Sequence, residues 1–181
     1  IKENTEYQEK INRLDRLFSK AKSYSIKSKI IDLKMESMKD LFSGGKNLYI
    51  HANNAADMRD AIYFAEKHKI KNIVIVGGED ALAISNILVE KNIPIILNRI
   101  HRLPKSQDSP IDDPFVQPKK LSKAGILFCL SYAGSMEAMG ARNLPFTAGT
   151  SIAYGEEYEN AVQSITLNAA KILGISDVVG S

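Results

Sequence analysis

Four short apolar runs divide the middle of this chain, and each ends at a polar residue or a glycine. The runs are Leu48–His51, Ile73–Val76, Ile95–Leu97 and Ile126–Leu130. Short runs that are rich in branched residues and free of charged ones are typical of strands buried on both faces of a parallel sheet. Because active sites of α/β proteins gather at the carboxyl ends of such strands, the residues that end these runs are the first candidates for function.

Helical periodicity surrounds the four runs. Apolar residues recur every three or four positions from about Thr5 to Ser28 and again over Ile30–Phe42, which predicts two amphipathic helices before the first strand. Gly44 and Gly45 supply the chemistry of a helix C-terminus. The same spacing predicts three longer helices further along, namely one ending near His68, one over Pro145–Tyr154 and one over Glu157–Leu173, besides a helix after Gly77-Gly78-Glu79-Asp80.

The regularity breaks after the third run. Several prolines and aspartates fall within Asn98–Pro118, which predicts a long loop that ends in a short helix over Lys119–Lys123. Loops longer than about twelve to fifteen residues are uncommon and tend to be functional. We interpret Asp112, Asp113 and Pro114 as a turn, because adjacent carboxylates rarely point at one metal ion.

The order of strands and helices predicts an α/β fold. Parallel strands joined by helical crossovers form either an open doubly wound sheet or part of a closed (β/α) barrel. Four strands cannot close such a barrel. Counting elements alone therefore leaves an open sheet and a half-barrel as equal alternatives.

Composition excludes several classes of protein. The chain has 181 residues, of which 44% are hydrophobic and 25% charged, as expected for a domain with a core. No apolar stretch approaches the roughly 20 residues of a membrane-spanning helix. The net charge of +3 is spread over single lysines without interleaved aromatic residues, which argues against nucleic-acid binding. Cys129 lies inside an apolar run and is expected in the core. The sequence does not distinguish a cytoplasmic from a periplasmic protein.

Each of the three histidines admits more than one role. His51 ends the first run, where it could ligate a metal, act as a general base or make a structural hydrogen bond. His68 lies between Lys67 and Lys69 and is expected at the surface. His101 follows the third run, where it could reach the same pocket as His51 or cap exposed backbone.

Two further motifs have a functional and a structural interpretation. Gly77 and Gly78 separate a strand from a helix, as in a phosphate-binding turn, but without a G-x-G-x-x-G pattern or a Walker lysine. A tight strand-to-helix turn is the favoured explanation of the pair. Arg142 and Asn143 precede a helix above the fourth run, where they could bind a carboxylate or phosphate, or cap the helix. No Ser-His-Asp or Cys-His arrangement and no G-x-S-x-G motif is readable.

Five blocks of residues carry a family resemblance: Leu48–Asn53, Ile75–Glu79, Leu103-Pro104 with Asp112–Phe115, Ala141–Phe146 and Ile165–Gly174. These blocks resemble the carboxyl-terminal part of proteins of the amidohydrolase superfamily, and most of all the imidazolonepropionase-like branch. The resemblance runs from about Asp32 to Ser181. Its most specific part is the last block, which a Val-Gly-Ser sequence follows.

The resemblance implies that the four runs are strands five to eight of a (β/α)8 TIM barrel. Residues 1–181 would then form the carboxyl-terminal part of one barrel domain, with strands one to four and a small β-sandwich outside this chain. It further implies a hydrolase that acts on carbon–nitrogen bonds other than peptide bonds, such as those of cyclic amides. We expect a small-molecule substrate bound by His101, Arg142 and Asn143, and packing against a second copy or against the missing half of the barrel.

The resemblance also implies a metal site that is degenerate in this chain. His51 matches the metal-binding histidine of strand five, whereas Gly77 and Ala133 stand where a histidine of strand six and an aspartate of strand eight are expected. One divalent metal, such as zinc, could bind if the missing half supplies ligands, and the catalytic residues stay unassigned. The alternative is a catalytically inactive binding or oligomer-partner protein; a weaker one is a nucleotide-binding module that uses Gly77 and Gly78.

Overall fold

The structure is a computed structural model, and it describes residues 5–27, 31–132 and 137–180. Four strands lie in these ranges: β1 (Leu48–Ala52), β2 (Ile73–Gly77), β3 (Ile95–Leu97) and β4 (Phe128–Leu130). The same ranges hold nine α-helices: α1 (Thr5–Lys27), α2 (Leu33–Ser43), α3 (Ala55–His68), α4 (Ser85–Glu90), α5 (Asp113–Lys123), α6 (Glu137–Gly140), α7 (Leu144–Ala153), α8 (Tyr158–Ile165) and α9 (Leu167–Leu173). Short 3₁₀ helices precede α4 and α7. None of the described helices has both the length and the apolar character that crossing a bilayer requires.

The four strands form one sheet in the order β1-β2-β3-β4. The pairs β2–β3 and β3–β4 are parallel, with Val76 opposite Ile96 and Ile96 opposite Cys129. Each strand is added on the same side as the one before it, so the order never reverses within these strands. A (β/α)8 barrel is wound in this way, whereas a doubly wound sheet reverses at its ligand crevice. The sheet confirms the predicted α/β class and is consistent with part of a barrel, which stays a prediction.

Both faces of the sheet are covered. Ile75, Ile95 and Leu97 share one face and are at most 1% exposed. Cys129 lies on the other face and packs with Val74 of β2 and Ile172 of α9. The thiol is therefore part of the core, as predicted, and its burial raises its pKa to about 11. At neutral pH the sulfur keeps its proton, which makes it a poor nucleophile and a poor metal ligand.

Side chains and a glycine define the ends of α2 and the start of α3; α2 begins at Leu33, three residues later than predicted, and ends at the predicted glycine. The Asp32 carboxylate accepts hydrogen bonds from the Lys34 and Met35 amides and begins α2. Gly44 ends that helix with a φ of 92°, a left-handed conformation that glycine adopts without strain. At α3 the Asn54 side chain accepts from the Asp57 amide at 2.8 Å. These contacts satisfy backbone groups that a helix leaves unpaired at its ends.

The helix before β4 is longer than its sequence suggests. It begins at Asp113 rather than Lys119, so the preceding loop is shorter than predicted. Pro114 occupies the first turn, where its missing N–H costs nothing, and Pro118 lies one turn further on. The predicted turn at Asp112 and Asp113 is instead the start of this helix, and the Asp113 carboxylate binds Lys120 at 2.8 Å.

The last predicted helix is two helices. The predicted span Glu157–Leu173 breaks at Thr166, whose φ of −131° and ψ of −95° lie outside the helical region. The Thr166 hydroxyl donates to the carbonyl of Val162, four residues earlier. A threonine side chain that bonds to the backbone in this way competes with regular helix hydrogen bonding. Apolar spacing continues across the break, which is why the sequence pattern did not reveal it.

One compact unit comprises Ile1–Leu48 and Tyr63–Asn72, and the other comprises Tyr49–Ile62 and Ile73–Ser181. In the described part of the first unit, His68 is only 4% exposed, so its predicted surface position is wrong. Its ring packs 4.6 Å from Phe64 and 5.6 Å from Phe18, measured between centroids. Its Nε2 lies 2.7 Å from the Asp15 carboxylate, and Lys67 binds the same carboxylate at 2.6 Å. These contacts attach α1 to the end of α3.

We predict that Asp15→Asn destabilises the first unit at neutral pH. Hydrogen bonds from Lys67 and His68 lower the pKa of the Asp15 carboxyl below its usual value. A carboxyl whose folded pKa is below its unfolded pKa stabilises the fold above the unfolded value, about 3.9, and this contribution disappears as the pH falls through the folded pKa. Thermal unfolding followed by circular dichroism should show a lower midpoint for the variant at pH 7 and a shrinking difference below pH ~4.

Asp40→Asn is the matched control for this substitution. Asp40 is half-exposed and lies 3.6 Å from Lys46, a geometry that contributes little stability. Its removal should leave the midpoint nearly unchanged at every pH. A pH-independent loss of stability in Asp15→Asn would contradict the role of the ionised carboxylate.

Candidate functional site

The carboxyl ends of the strands form a polar edge held by backbone hydrogen bonds. The Gly78 amide donates to the carbonyl of Ala52 at 2.9 Å, and the Asn98 amide donates to that of Gly77 at 3.1 Å. The Asn98 side-chain amide also donates to the Asn53 carboxamide oxygen at 3.3 Å. Two asparagines therefore bridge the ends of β1 and β3 across the end of β2.

The backbone conformation of Gly77 and the space around it both require glycine at this position. Its φ of 118° is a conformation that residues with a side chain rarely adopt. A Cβ on Gly77 would lie 2.2 Å from the Asn53 oxygen and 2.9 Å from the Ala52 carbonyl. Asn53 therefore occupies the space that a larger residue at position 77 would need.

Gly78 supports the structural interpretation of the glycine pair. Its φ is 70°, and a Cβ there would lie 2.7 Å from a methyl group of Ile95. The next element is the four-residue 3₁₀ helix Ala81–Ile84. The glycines thus allow a tight turn against β3, and the segment after them lacks the long helix whose amino terminus binds phosphate in nucleotide-binding folds.

His51 belongs to a row of side chains that crosses the sheet. The bond from the Gly78 amide to Ala52 pairs Ala52 with Gly77, and therefore pairs His51 with Val76. The register continues from Val76 to Ile96 and on to Cys129. Side chains alternate between faces, so Val76, and not Gly77, lies beside His51 on the same face. The register therefore places Val76 beside His51, and the correspondence of Gly77 with a strand-six ligand stays a prediction.

The donor set in this part of the chain does not fit a complete metal site. His51 is exposed on β1, and its neighbours in the row are apolar or, at Cys129, a protonated thiol. Among the described residues, no group of three histidine, cysteine or acidic side chains could hold a metal ion. Zinc sites need three or four protein ligands. Ala133, which marks the second expected ligand position, lies outside the described residues.

His101 is fixed against α7 and α5. Its Nε2 lies 2.8 Å from the Thr150 hydroxyl, and its ring meets Phe115 edge-on with centroids 6.1 Å apart. Phe115 in turn packs against Tyr154 at 5.0 Å. The histidine is exposed, so its ring remains accessible from solvent.

Arg142 and Asn143 lie at the opposite end of α7 from the contact with His101. Arg142 is exposed in the 3₁₀ helix Ala141–Asn143, and Asn143 precedes the first residue of α7 without a side-chain capping bond. Thr150 is seven residues beyond Asn143, or about 10 Å along a helix axis. Within the described ranges, no contact joins His51 to any of these three predicted substrate-binding residues.

Sequence reasoning missed a pair of residues at the strand ends. The Arg99 guanidinium follows β3 and lies 5.4 Å from the ring centroid of Tyr132, which follows β4. Tyr132 also fills the space beside Gly140, because a Cβ there would overlap its ring. Both residues come directly after apolar runs, and that position is the signal that could have identified them. A half-buried arginine held by an aromatic ring is well suited to binding an anionic group.

The loop after β3 is anchored to the turn after β2. Arg102 approaches the Glu79 carboxylate at 3.7 Å, and Lys105 forms an ion pair with Asp80. Gln117 is only 5% exposed and donates to the carbonyls of Gly78 and Glu79 at 2.9 and 3.0 Å. Two ion pairs and a buried amide thus give this loop a defined path beside the strand ends.

The fold of this chain is similar to that of a solved amidohydrolase. An amidohydrolase from Thermotoga maritima MSB8 is similar over 97% of this chain, with a TM-score of 0.73 and 29% sequence identity. The chain spans 45% of the length of that protein, or less than half. No protein-family model matches the sequence, and no curated protein does. The structural similarity supports the predicted superfamily.

We predict that Gly77→Ala destabilises the protein by about 1–3 kcal/mol, because it combines backbone strain with the clash against Asn53. Gly149→Ala is the matched control. A Cβ at Gly149 has no neighbour within 4 Å, and the residue lies inside α7. That substitution should stabilise by about 0.5–1 kcal/mol. Urea unfolding measures both, and equal effects of the two substitutions would contradict the role of Gly77.

We predict that Val76→His creates a metal-binding pair with His51. Neighbouring strands are about 4.8 Å apart, so two imidazoles in the same row can share one ion. Calorimetric titration with Zn²⁺ should show affinity raised about tenfold or more over the unmodified protein. The gain should vanish in Val76→His combined with His51→Ala. A gain that persists without His51 would contradict the pairing of β1 with β2.

Proposed function

We propose that this chain is part of an amidohydrolase-superfamily protein of the imidazolonepropionase-like branch, and that it supplies strands five to eight of a (β/α)8 barrel. The observation that carries the proposal is the similarity of nearly the whole chain to part of an amidohydrolase at 29% identity. The strand order without reversal supports the same conclusion. Descent from such proteins makes the whole protein a hydrolase of carbon–nitrogen bonds other than peptide bonds, such as those of cyclic amides.

The polar edge of the sheet would face the substrate. Asn53 and Asn98 offer amide groups of the kind that bind a neutral cyclic amide, and Arg99 offers a cation for an anionic substituent. His101 and the pair Arg142 and Asn143 bind the substrate in this proposal, from the two ends of α7. Polar groups at the carboxyl ends of parallel strands are positioned by rigid elements, which favours specific recognition.

A resident metal would depend on the rest of the protein. His51 is the ligand that the described residues can offer, and the row beside it continues with Val76 and Ile96. We therefore assign no catalytic step to a metal on the basis of the described residues. A single divalent ion would require several ligands from strands that lie outside this chain.

The second candidate function is a binding protein that keeps the fold without catalysis. The apolar row beside His51 favours it, because valine and isoleucine cannot bind a metal ion together with the histidine. Gly77 adds to this, since its backbone conformation and its contact with Asn53 leave no room for a ligand side chain. Under this alternative, the asparagine-bridged edge would hold a small molecule or face a second copy.

Metal content and hydrolysis of the whole protein test the two candidates. We expect plasma mass spectrometry to detect at most one divalent ion per chain, and His51→Ala to remove it. Turnover of a panel of cyclic amides should be measurable and lost with that ion. His101→Ala is the control, because it should leave the metal content unchanged and raise KM about tenfold through one lost hydrogen bond.

Each outcome separates the candidates. Hydrolysis that depends on His51 supports the hydrolase and excludes the inactive binding protein. Ligand binding without any turnover and without bound metal supports the binding protein. An ion retained in full after His51→Ala would contradict the role of this histidine as a metal ligand.

A further inference from the structure

A cleft of about 370 Å³ lies far from the strand carboxyl ends, between α5 and the turn that joins α7 to α8. Helix α5 leads from the loop after β3 to the amino end of β4, so its last turns lie toward the amino ends of the strands. The polar edge around Asn53 and Asn98 lies at the opposite ends, whereas the contact of Phe115 with Tyr154 below His101 lies about one helical turn from the cleft. The volume falls within the range of small-molecule sites.

The wall that α5 contributes is cationic. Lys119 and Lys123 both line the cleft, and neither has an ion pair or a hydrogen bond among the described residues. Lys119 is half-buried, and its ammonium occupies space beside Gly155, where a Cβ would lie only 2.6 Å from the Nζ atom. Gly155 has a φ of 92°, so both its conformation and the lysine exclude a side chain. A half-buried ammonium without a partner is a group that an anionic ligand would satisfy.

The facing wall is anionic. Glu156 is only 5% exposed, and its carboxylate accepts hydrogen bonds from the Ser122 hydroxyl at 2.7 Å, the Glu157 amide at 3.0 Å and the Asn160 side chain at 3.3 Å. These bonds fix the turn against α5. The Glu157 carboxylate is exposed at the same cleft, and the Asn160 carboxamide oxygen is a further acceptor.

The two walls together are matched by a ligand with two opposite charges. Two lysines and two glutamates line the cleft, so their formal charges balance. A simple anion would meet the glutamates, and a simple cation would meet the lysines. We propose that this cleft binds a small zwitterion, a molecule with a carboxylate and an ammonium group at its two ends. The carboxylate lies against Lys119 and Lys123, and the ammonium lies against Glu157.

Calorimetric titration of the whole protein tests this site with defined probes. The probes are β-alanine, γ-aminobutyrate and 5-aminopentanoate, which differ in the separation of their charges, with butyrate and butylammonium as single-charge comparisons. We expect one of the zwitterions to bind at least about tenfold more tightly than either single-charge probe. Absence of binding by all three zwitterions would overturn the proposal, as would butyrate binding equally well.

Variants assign the binding to the cleft. Lys119→Met, which keeps the aliphatic stem, and Glu157→Gln should each weaken zwitterion binding about tenfold. Lys120→Met is the matched control, because Lys120 lies on the same helix but pairs with Asp113 outside the cleft. Circular dichroism verifies the fold of each variant. Equal weakening in the control and in Lys119→Met would overturn the assignment.

Discussion

The pairing of β1 with β2 is the constraint on which the polar edge of the sheet depends. One hydrogen bond at the strand ends, from the Gly78 amide to Ala52, sets which residues face each other. A shift of one residue would exchange the two faces of β1 and place His51 on the face of Ile75 and Ile95. The register thus decides that an exposed imidazole shares its row with valine, isoleucine and a buried thiol. It also brings Asn53 and Asn98 to either side of the glycine that ends β2.

The glycine turn and the asparagines constrain one another. Gly77 adopts a conformation that demands glycine, and Asn53 fills the space beside it. A side chain could be introduced at position 77 only if Asn53 and the backbone changed together. The strand ends therefore form a set of contacts in which the backbone conformation of Gly77 and the position of Asn53 depend on each other.

Much of the fold could be predicted because apolar patterns record burial directly. The four runs, the helix end at Gly44 and the burial of Cys129 follow from local chemistry that the structure confirms. Pro114 and Pro118 lie in a region predicted as a loop, because proline is typical of loops; Pro114 nevertheless fits the first turn of α5, and Pro118 lies inside the helix. Thr166 shows the opposite error, because regular apolar spacing hides a break made by a side-chain hydrogen bond.

The site was harder to predict than the fold because it depends on contacts distant in sequence. His68 was expected at the surface from its lysine neighbours, yet Asp15, more than fifty residues earlier, is its partner. Arg99 and Tyr132 meet only because β3 and β4 are adjacent. Which of Val76 and Gly77 lies beside His51 depends on the strand register, and no local sequence pattern contains that register. Apolar periodicity locates a strand within a residue or so, and one residue is enough to exchange its faces.

The unpaired edge of β1 affects how the chain behaves in solution. Within the described residues, β1 has a neighbouring strand on one side only, so its other edge is unpaired. Tyr49 and His51 are both exposed on one face of the strand. An edge of this kind offers backbone donors and acceptors to any extended segment that approaches it. It carries neither an inward-pointing charge nor a proline to prevent such pairing. Separated from whatever covers this edge, the segment would be prone to strand-mediated aggregation, and its solubility would depend on keeping β1 covered.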